Sequence, residues 1–245
     1  MAATASAASP AGPHSAEPHN SSHNSRLNSL RAGVLGANDG IVSVAALLLG
    51  VVGSGVSNST VLVAGLAATI SGAVSMALGE YVSVSAQRDS ERMLIAKENQ
   101  ELKEMPEQEM AELTSLLAGY GMTHQTAAKA AQEITDTNPL DAHLRLELGI
   151  DGEDLTNPWH AAFWSAVSFL AGAALPMLSI FLAPDNAAAI VVSLVTIATL
   201  ALTGYVSARL ADTNPGRAVL RLVIGGAAGL AVTYGIGAAF GVALG

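Results

Sequence analysis

Residues 61–105 read VLVAGLAATISGAVSMALGEYVSVSAQRDSERMLIAKENQELKEM. The first part, 61–84, is small and apolar, and at about 1.5 Å per helical residue it is long enough to cross a bilayer. The remainder is polar, yet neither Pro nor Gly interrupts the chain from Glu80 to Met105. The span is therefore predicted to continue beyond the lipid as one stalk helix. It ends at Pro106, which lacks the N–H that a helix interior requires.

Working outward, four more apolar stretches of spanning length occur at 32–52, 161–183, 187–208 and 218–244. Five spans place the two termini on opposite sides of a membrane. The joins 53–60 (GSGVSNST) and 184–186 (PDN) carry no Lys or Arg, whereas Arg26, Arg31, Arg209, Arg217 and Arg221 flank the other ends. All 11 basic residues then fall on one side, which the positive-inside rule makes the cytoplasm. The N-terminus is expected inside and the C-terminus outside.

Composition agrees with this layout. Of 245 residues 51% are hydrophobic, 13% are charged and 24 are glycine, where a soluble domain carries roughly one quarter charged residues. Aromatics make up only 4%, so the apolar mass is Ala, Val, Leu, Ile and Gly, a mixture suited to helices packed closely in lipid. Gly225-x-x-x-Gly229 in the fifth span is one place where helices are expected to approach. With no cysteine, disulfides and thiolate metal sites are excluded. A net charge of −9, from 11 basic and 20 acidic residues, leaves little material for a nucleic-acid surface.

The whole of that negative charge resides in 86–158, the one long polar segment. Beyond the stalk, helices are predicted at 107–118 after Pro106, at 123–135 after the Gly121 break, and at 139–148 ending at Gly149. The expected fold is an all-α membrane protein with five transmembrane helices and a small acidic cytoplasmic helical domain between helices two and three. The expected divisions are a disordered tail over 1–25, spans one and two over 26–85, the acidic domain over 86–158, and spans three to five over 159–245. The tail is rich in Ala, Ser, Pro and Asn, a composition that buries too little surface to offset ordering entropy. Its His14, His19 and His23 are read as solvated, since no rigid frame holds them.

Ionisable residues inside a span are expensive and so point to function. Asp39 lies on the order of 10 Å from the cytoplasmic start of span one, and Met76 about as deep from the cytoplasmic end of span two. Around Met76, the residues Gly65, Thr69, Gly72, Gly79, Glu80, Ser83 and Gln87 recur at helical spacing as one small, polar stripe. Such a stripe lines a pathway or a helix contact. Asn38-Asp39-Gly40 would be a turn in a soluble protein, but its apolar flanks favour a continuous helix. Glu80, within about one turn of the interface, is placed equally well as a relay or as a snorkelling side chain.

In the acidic segment, Glu98-x-x-Glu101 and Glu109-x-x-Glu112 each set two carboxylates on one helical face. Like charges so placed repel unless a cation joins them. Facing each other across the Pro106 break, they would offer hard oxygen ligands to a divalent metal, with Glu147 or His143 completing the set. A solvated acidic face has the same spacing, and spacing alone leaves both readings standing. No Glu-x-x-His pair is present, so the imidazoles of a di-iron bundle oxidase are missing. HExxH, GxSxG and P-loop patterns are absent as well, and no enzyme is expected.

The blocks GANDGIVSVAALLLGV (36–51) and SGAVSMALGEYVSVSAQRD (71–89), together with a Glu-rich insertion and three further spans, resemble the vacuolar iron transporter family over about 30–245. The resemblance implies a homodimer of five-helix subunits whose first two spans form a metal path. Ferrous or manganous ion would leave the cytoplasm through it in exchange for protons, with no organic cofactor. It implies that Asp39 and Met76 are membrane ligands, with Glu80 relaying ion or proton, and that Glu98, Glu101, Glu109, Glu112 and Glu147 collect the metal. Where plant members carry a methionine pair before the last glutamate, this chain has His143-Leu144, an imidazole in place of a thioether. The lack of a recognisable organelle address and the run DAHLRLELGID suggest a bacterial plasma membrane. The competing expectation is a membrane-anchored metal sensor or scaffold whose acidic domain binds a protein partner.

Overall fold

The computed structural model describes residues 21–152 and 155–244, and every described regular element is helical. In order these are α1 Ser21–Gly53, α2 Asn58–Glu104, α3 Pro106–Gly119, α4 His124–Thr135, α5 Pro139–Leu146, α6 Pro158–Leu182, α7 Ala188–Leu210 and α8 Pro215–Leu244, with a 3₁₀ turn Asp185–Ala187 before α7. Five are long and apolar enough to cross a membrane: Ala32–Gly53 within α1, then α2, α6, α7 and Pro215–Ala243 within α8. The span and the stalk are one helix of 47 residues. Most of the expected tail, 1–20, lies outside the described residues, and α1 begins at Ser21. Asn38-Asp39-Gly40 is helical, so the turn reading of that motif does not hold.

The chain divides into two compact units, one running up to Ile70 and resuming at Ser168, the other Ser71–Val167. In the first, α1 is the central helix. Its face Ile41, Val44, Ala45, Leu48 and Leu49 is buried and repeats at helical spacing. α1 lies close to α8 because both lack side chains where they cross. A Cβ at Gly237 would overlap the backbone of Gly50, and one at Gly241 would fall 2.8 Å from Ser54 O. Gly237-x-x-x-Gly241 is thus the small-residue motif that packs within the chain. Gly225 and Gly229 have nothing within 4 Å of where a Cβ would stand. On the opposite side Gly40 and Gly172 let α1 meet α6 at the backbones of Phe169 and Ala37.

In the second unit, the stalk end of α2 precedes a helical hairpin. Pro106 occupies the first turn of α3, with Glu107 and Glu109 at its positive end. Gly121, at φ 93, makes the turn that no side chain would tolerate easily. Thr123 then caps α4 by accepting the Thr126 N–H. Leu113 and Leu117 of α3 pack on Ala127 and Ala131 of α4, with Leu146 of α5 at the edge. The helices expected at 107–118, 123–135 and 139–148 agree with α3, α4 and α5 to within two residues at each end, whereas α2, α6 and α8 begin three residues before the expected spans and α1 begins at Ser21.

Candidate metal centre

Three helices of the second unit each bring one side chain to a common point. On the stalk, Glu98 falls on the same face as Ile95 and Leu102, both partly buried, and is itself 3% exposed. On α3, Glu109 stands one turn before Leu113 and two before Leu117, on the face that packs inward, and is 6% exposed. On α5, His143 is 1% exposed. Its helix starts at Pro139 with Asn138 capping through the Asp141 N–H. It stops where Gly149, at φ 65, lets the Ile150 N–H reach Leu144 O at 2.7 Å. Both ends of this short helix are therefore capped.

His143 Nδ1 lies 3.1 Å from Glu98 Oε1, 3.2 Å from Glu147 Oε2 and 3.6 Å from Glu109 Oε2. One ligand atom each from Glu98, Glu109 and His143 falls within a 4.8 Å sphere of mutual distances, a grouping able to hold a metal ion. The ring nitrogen makes a hydrogen bond with Glu147, while Glu98 Oε1 is enclosed without a hydrogen-bond partner. An enclosed acceptor with no donor is uncommon in a native interior. Burial, and then the charge of Glu147, push the Glu98 carboxyl up from 4.5 to about 7, with His143 pulling the other way. Burial raises Glu109 also, again against His143. Carboxylates crowded in this way take up protons when no metal balances them.

Of the six residues expected to bind metal in the insertion, the structure gathers Glu98, Glu109, His143 and Glu147. It does not gather Glu101 or Glu112. Glu101 is held by Lys97 Nζ at 2.9 Å, and Glu112 is exposed on the outer side of α3. In each expected pair one carboxylate is buried at the cluster, while Glu101 is only partly buried and Glu112 is exposed. Lys97 was legible as the partner of Glu101, since a cation four residues away on a helix is its natural contact. In the spans, Asp39 is exposed on α1, while Met76 and Glu80 are partly exposed on α2. Asp39 belongs to the first unit and the other two to the second. Beside Asp39, Asn38 keeps an enclosed Oδ1 with no hydrogen-bond partner, a feature that no motif in the sequence signals.

Fold and site together define a class: an integral membrane protein with five helices of spanning length and a buried carboxylate–imidazole cluster in a helical insertion. Residues 30–238 match the VIT family. "Vacuolar iron transporter" of Acanthamoeba castellanii is 40% identical over 211 residues, covering 85% of this chain and 77% of that protein. "Vacuolar iron transporter homolog 1" of Oryza sativa is 36% identical, covering 89% and 76%. "Vacuolar iron transporter 1" of Arabidopsis thaliana is 30% identical, covering 88% of each. The chain belongs to the VIT family.

Proposed function

We propose that the protein transports iron or manganese as the divalent ion, out of the cytoplasm and in exchange for protons. The observation that carries this is the convergence of Glu98, Glu109 and His143, all buried, on one point of a segment joined to a membrane span by an unbroken helix. The names of the relatives, iron transporters, support iron as the cargo. In this reading Glu98, Glu109, Glu147 and His143 collect the ion, which displaces the protons the crowded carboxylates hold. Asp39 and Met76 then pass it through the membrane. A carboxylate neutralises the charge, and a thioether favours Fe²⁺ or Mn²⁺ over the harder Mg²⁺ and Ca²⁺. Glu80 relays ion or proton near the interface.

Two further parts of the reading have their own support. Asp39 is exposed on a helix of spanning length, and a carboxylate facing hydrocarbon is costly. Its face therefore calls for a polar cover, which a second copy of the chain would supply as a homodimer. The acidic insertion and both Arg-flanked sides are assigned to the cytoplasm on the distribution of basic residues. A bacterial plasma membrane finds no support among the relatives, which are named as vacuolar. The orientation argument holds for either membrane.

Transport rather than sensing or scaffolding is tested in liposomes. Purified protein should move Fe²⁺ and Mn²⁺ across a vesicle membrane faster when a pH gradient drives protons the opposite way. Metal binding without flux would favour the sensor or scaffold. Flux unaffected by the gradient would remove proton exchange while leaving transport.

A further inference from the structure

One face of α2 carries two arginines just beyond its apolar part. Tyr81, Ser85, Arg88 and Arg92 follow one another at four, three and four residues, which sets them on a single stripe. Arg88 Nε is enclosed without a hydrogen-bond partner, and neither guanidinium makes an ion pair among the described residues. Asp89 and Glu91 each stand about 100° round the helix from the adjacent arginine, and Glu91 accepts instead from Gln87 Nε2 at 2.8 Å. At the membrane end of the stripe Tyr81 packs on Trp159 of α6, with ring centroids 4.6 Å apart. Trp159, Phe163 and Trp164 are each more than half exposed, and Phe163 meets Trp164 edge to face. The Trp164 ring N–H donates to His160 Nε2 at 2.9 Å. Both tryptophans of the chain stand at this one place, in the same compact unit as the arginines.

We propose that this stripe and the start of α6 form a site for one anionic phospholipid, its chains against the aromatic rings and its phosphate on Arg88 and Arg92. Tryptophan and tyrosine favour the level where hydrocarbon meets headgroups, so Tyr81 and Trp159 mark that level on two helices of spanning length. The headgroup layer is about 5–8 Å deep on each side of a bilayer, and Arg88 stands about 10 Å along the helix from Tyr81. Side chains on a helix lean toward its N-terminus, which for α2 is back toward the membrane. Both guanidinium groups then reach the phosphate level from the side of the insertion. A guanidinium meets phosphate oxygens with a fork of N–H donors, and a phosphate there balances a charge partly withdrawn from water at Nε. A zwitterionic headgroup brings its own cation and so gains less between two arginines than a headgroup of net negative charge.

Because both tryptophans lie at the site, their fluorescence reports which lipid occupies it. Full-length protein in phosphatidylcholine vesicles, given a fixed fraction of brominated phosphatidylglycerol or of brominated phosphatidylcholine, should be quenched more by the former, with relative occupancy at least about fivefold higher. Arg88→Gln with Arg92→Gln should bring that preference below about twofold. Arg217→Gln with Arg221→Gln, which removes the same charge elsewhere, should leave it intact. Equal quenching by the two lipids in wild type overturns the inference, as do equal losses in the two double variants, which would leave only a diffuse attraction. Inorganic phosphate at matched ionic strength should not displace the lipid, and displacement would overturn the lipid assignment in favour of the free anion. A second measurement needs no variant to fold. Phenylglyoxal modification of Arg88 in wild type, read by peptide mass spectrometry, should slow at least about threefold when phosphatidylglycerol replaces phosphatidylcholine, while that of Arg217 changes little. Protection of neither arginine, or of both alike, overturns the inference whatever the variants give.

Discussion

Replacing Glu98 by Gln should make the metal-free insertion more stable at neutral pH and deprive it of stabilisation by metal. Glu98 is enclosed on the stalk beside Glu147, Glu109 and His143, and its carboxyl is raised from 4.5 to about 7. When the site opens, the carboxyl returns to its ordinary value. Below about pH 4.5 both forms are protonated and the closed state keeps its full stability. Between there and about pH 7 the open form ionises first, so stability falls as pH rises. Each pH unit in that window is worth about 1.4 kcal/mol, which sums to on the order of 3 kcal/mol by pH 8. Glu109 is shifted in the same direction and adds to the slope. Glutamine never ionises, so much of the slope should disappear in Glu98→Gln. Hydrogen exchange of peptides from α3 and α5 in the full-length protein, with chelator and corrected for intrinsic exchange, measures this from pH 5 to 8. Adding Mn²⁺ at pH 8 should restore protection in wild type and far less in the variant. Wild-type protection that is flat across the range, or a variant with the wild-type slope, would refute the reasoning.

Asp39→Asn and Met76→Ala should each abolish metal flux in liposomes while the protein still reaches the membrane, and near-normal flux by Asp39→Asn would remove it from the pathway. The double change Glu101→Gln and Glu112→Gln should weaken Mn²⁺ binding by no more than about threefold, because neither carboxylate converges on His143 with Glu98 and Glu109. Glu109→Gln should weaken it at least about tenfold, and calorimetry showing the reverse order would dissolve the assignment. Gly237→Ala, which sets a methyl into the backbone of Gly50, should destabilise the helix bundle by about 1–3 kcal/mol, whereas Gly225→Ala, with nothing within 4 Å, should leave the melting temperature unchanged.

The spans were legible because a bilayer imposes one length and one composition on every crossing helix. The stalk was legible because continuity of a helix needs only the absence of a breaker, and Pro106 is the first one after Gly79. The packing partners were not, because glycine spacing is cheap in a chain with 24 glycines. Gly225-x-x-x-Gly229 and Gly237-x-x-x-Gly241 are equally good motifs, and only the second faces a helix that is also bare at the crossing, at Gly50 and Gly53. For the glutamates, spacing of three residues placed both members of each pair on about one face, yet that face is wide. The apolar neighbours carry the missing information. Glu109 is in register with Leu113 and Leu117, and Glu98 with Ile95 and Leu102, so each lies on an inward stripe that Glu112 does not share.

Those stripes also bear on the proposed role of the site. The apolar core of the insertion joins α3 to α4, with only Leu146 of α5 at its edge. The stalk and α5 instead meet α3 through Glu98, Glu109 and His143. One imidazole faces three carboxylates there, and Glu98 Oε1 is left with no hydrogen-bond partner. A sequence selected for stability alone would fill such a point with apolar side chains, since buried ionic groups seldom improve on them. In the proposed function, carboxylates kept there at a cost in stability are ligands whose crowding a dication relieves, so that binding and the ordering of three helices would be one event. Under the same proposal, release toward the membrane would rest on the same balance, because protons arriving at Glu98 and Glu109 relieve the same crowding and compete directly with a metal.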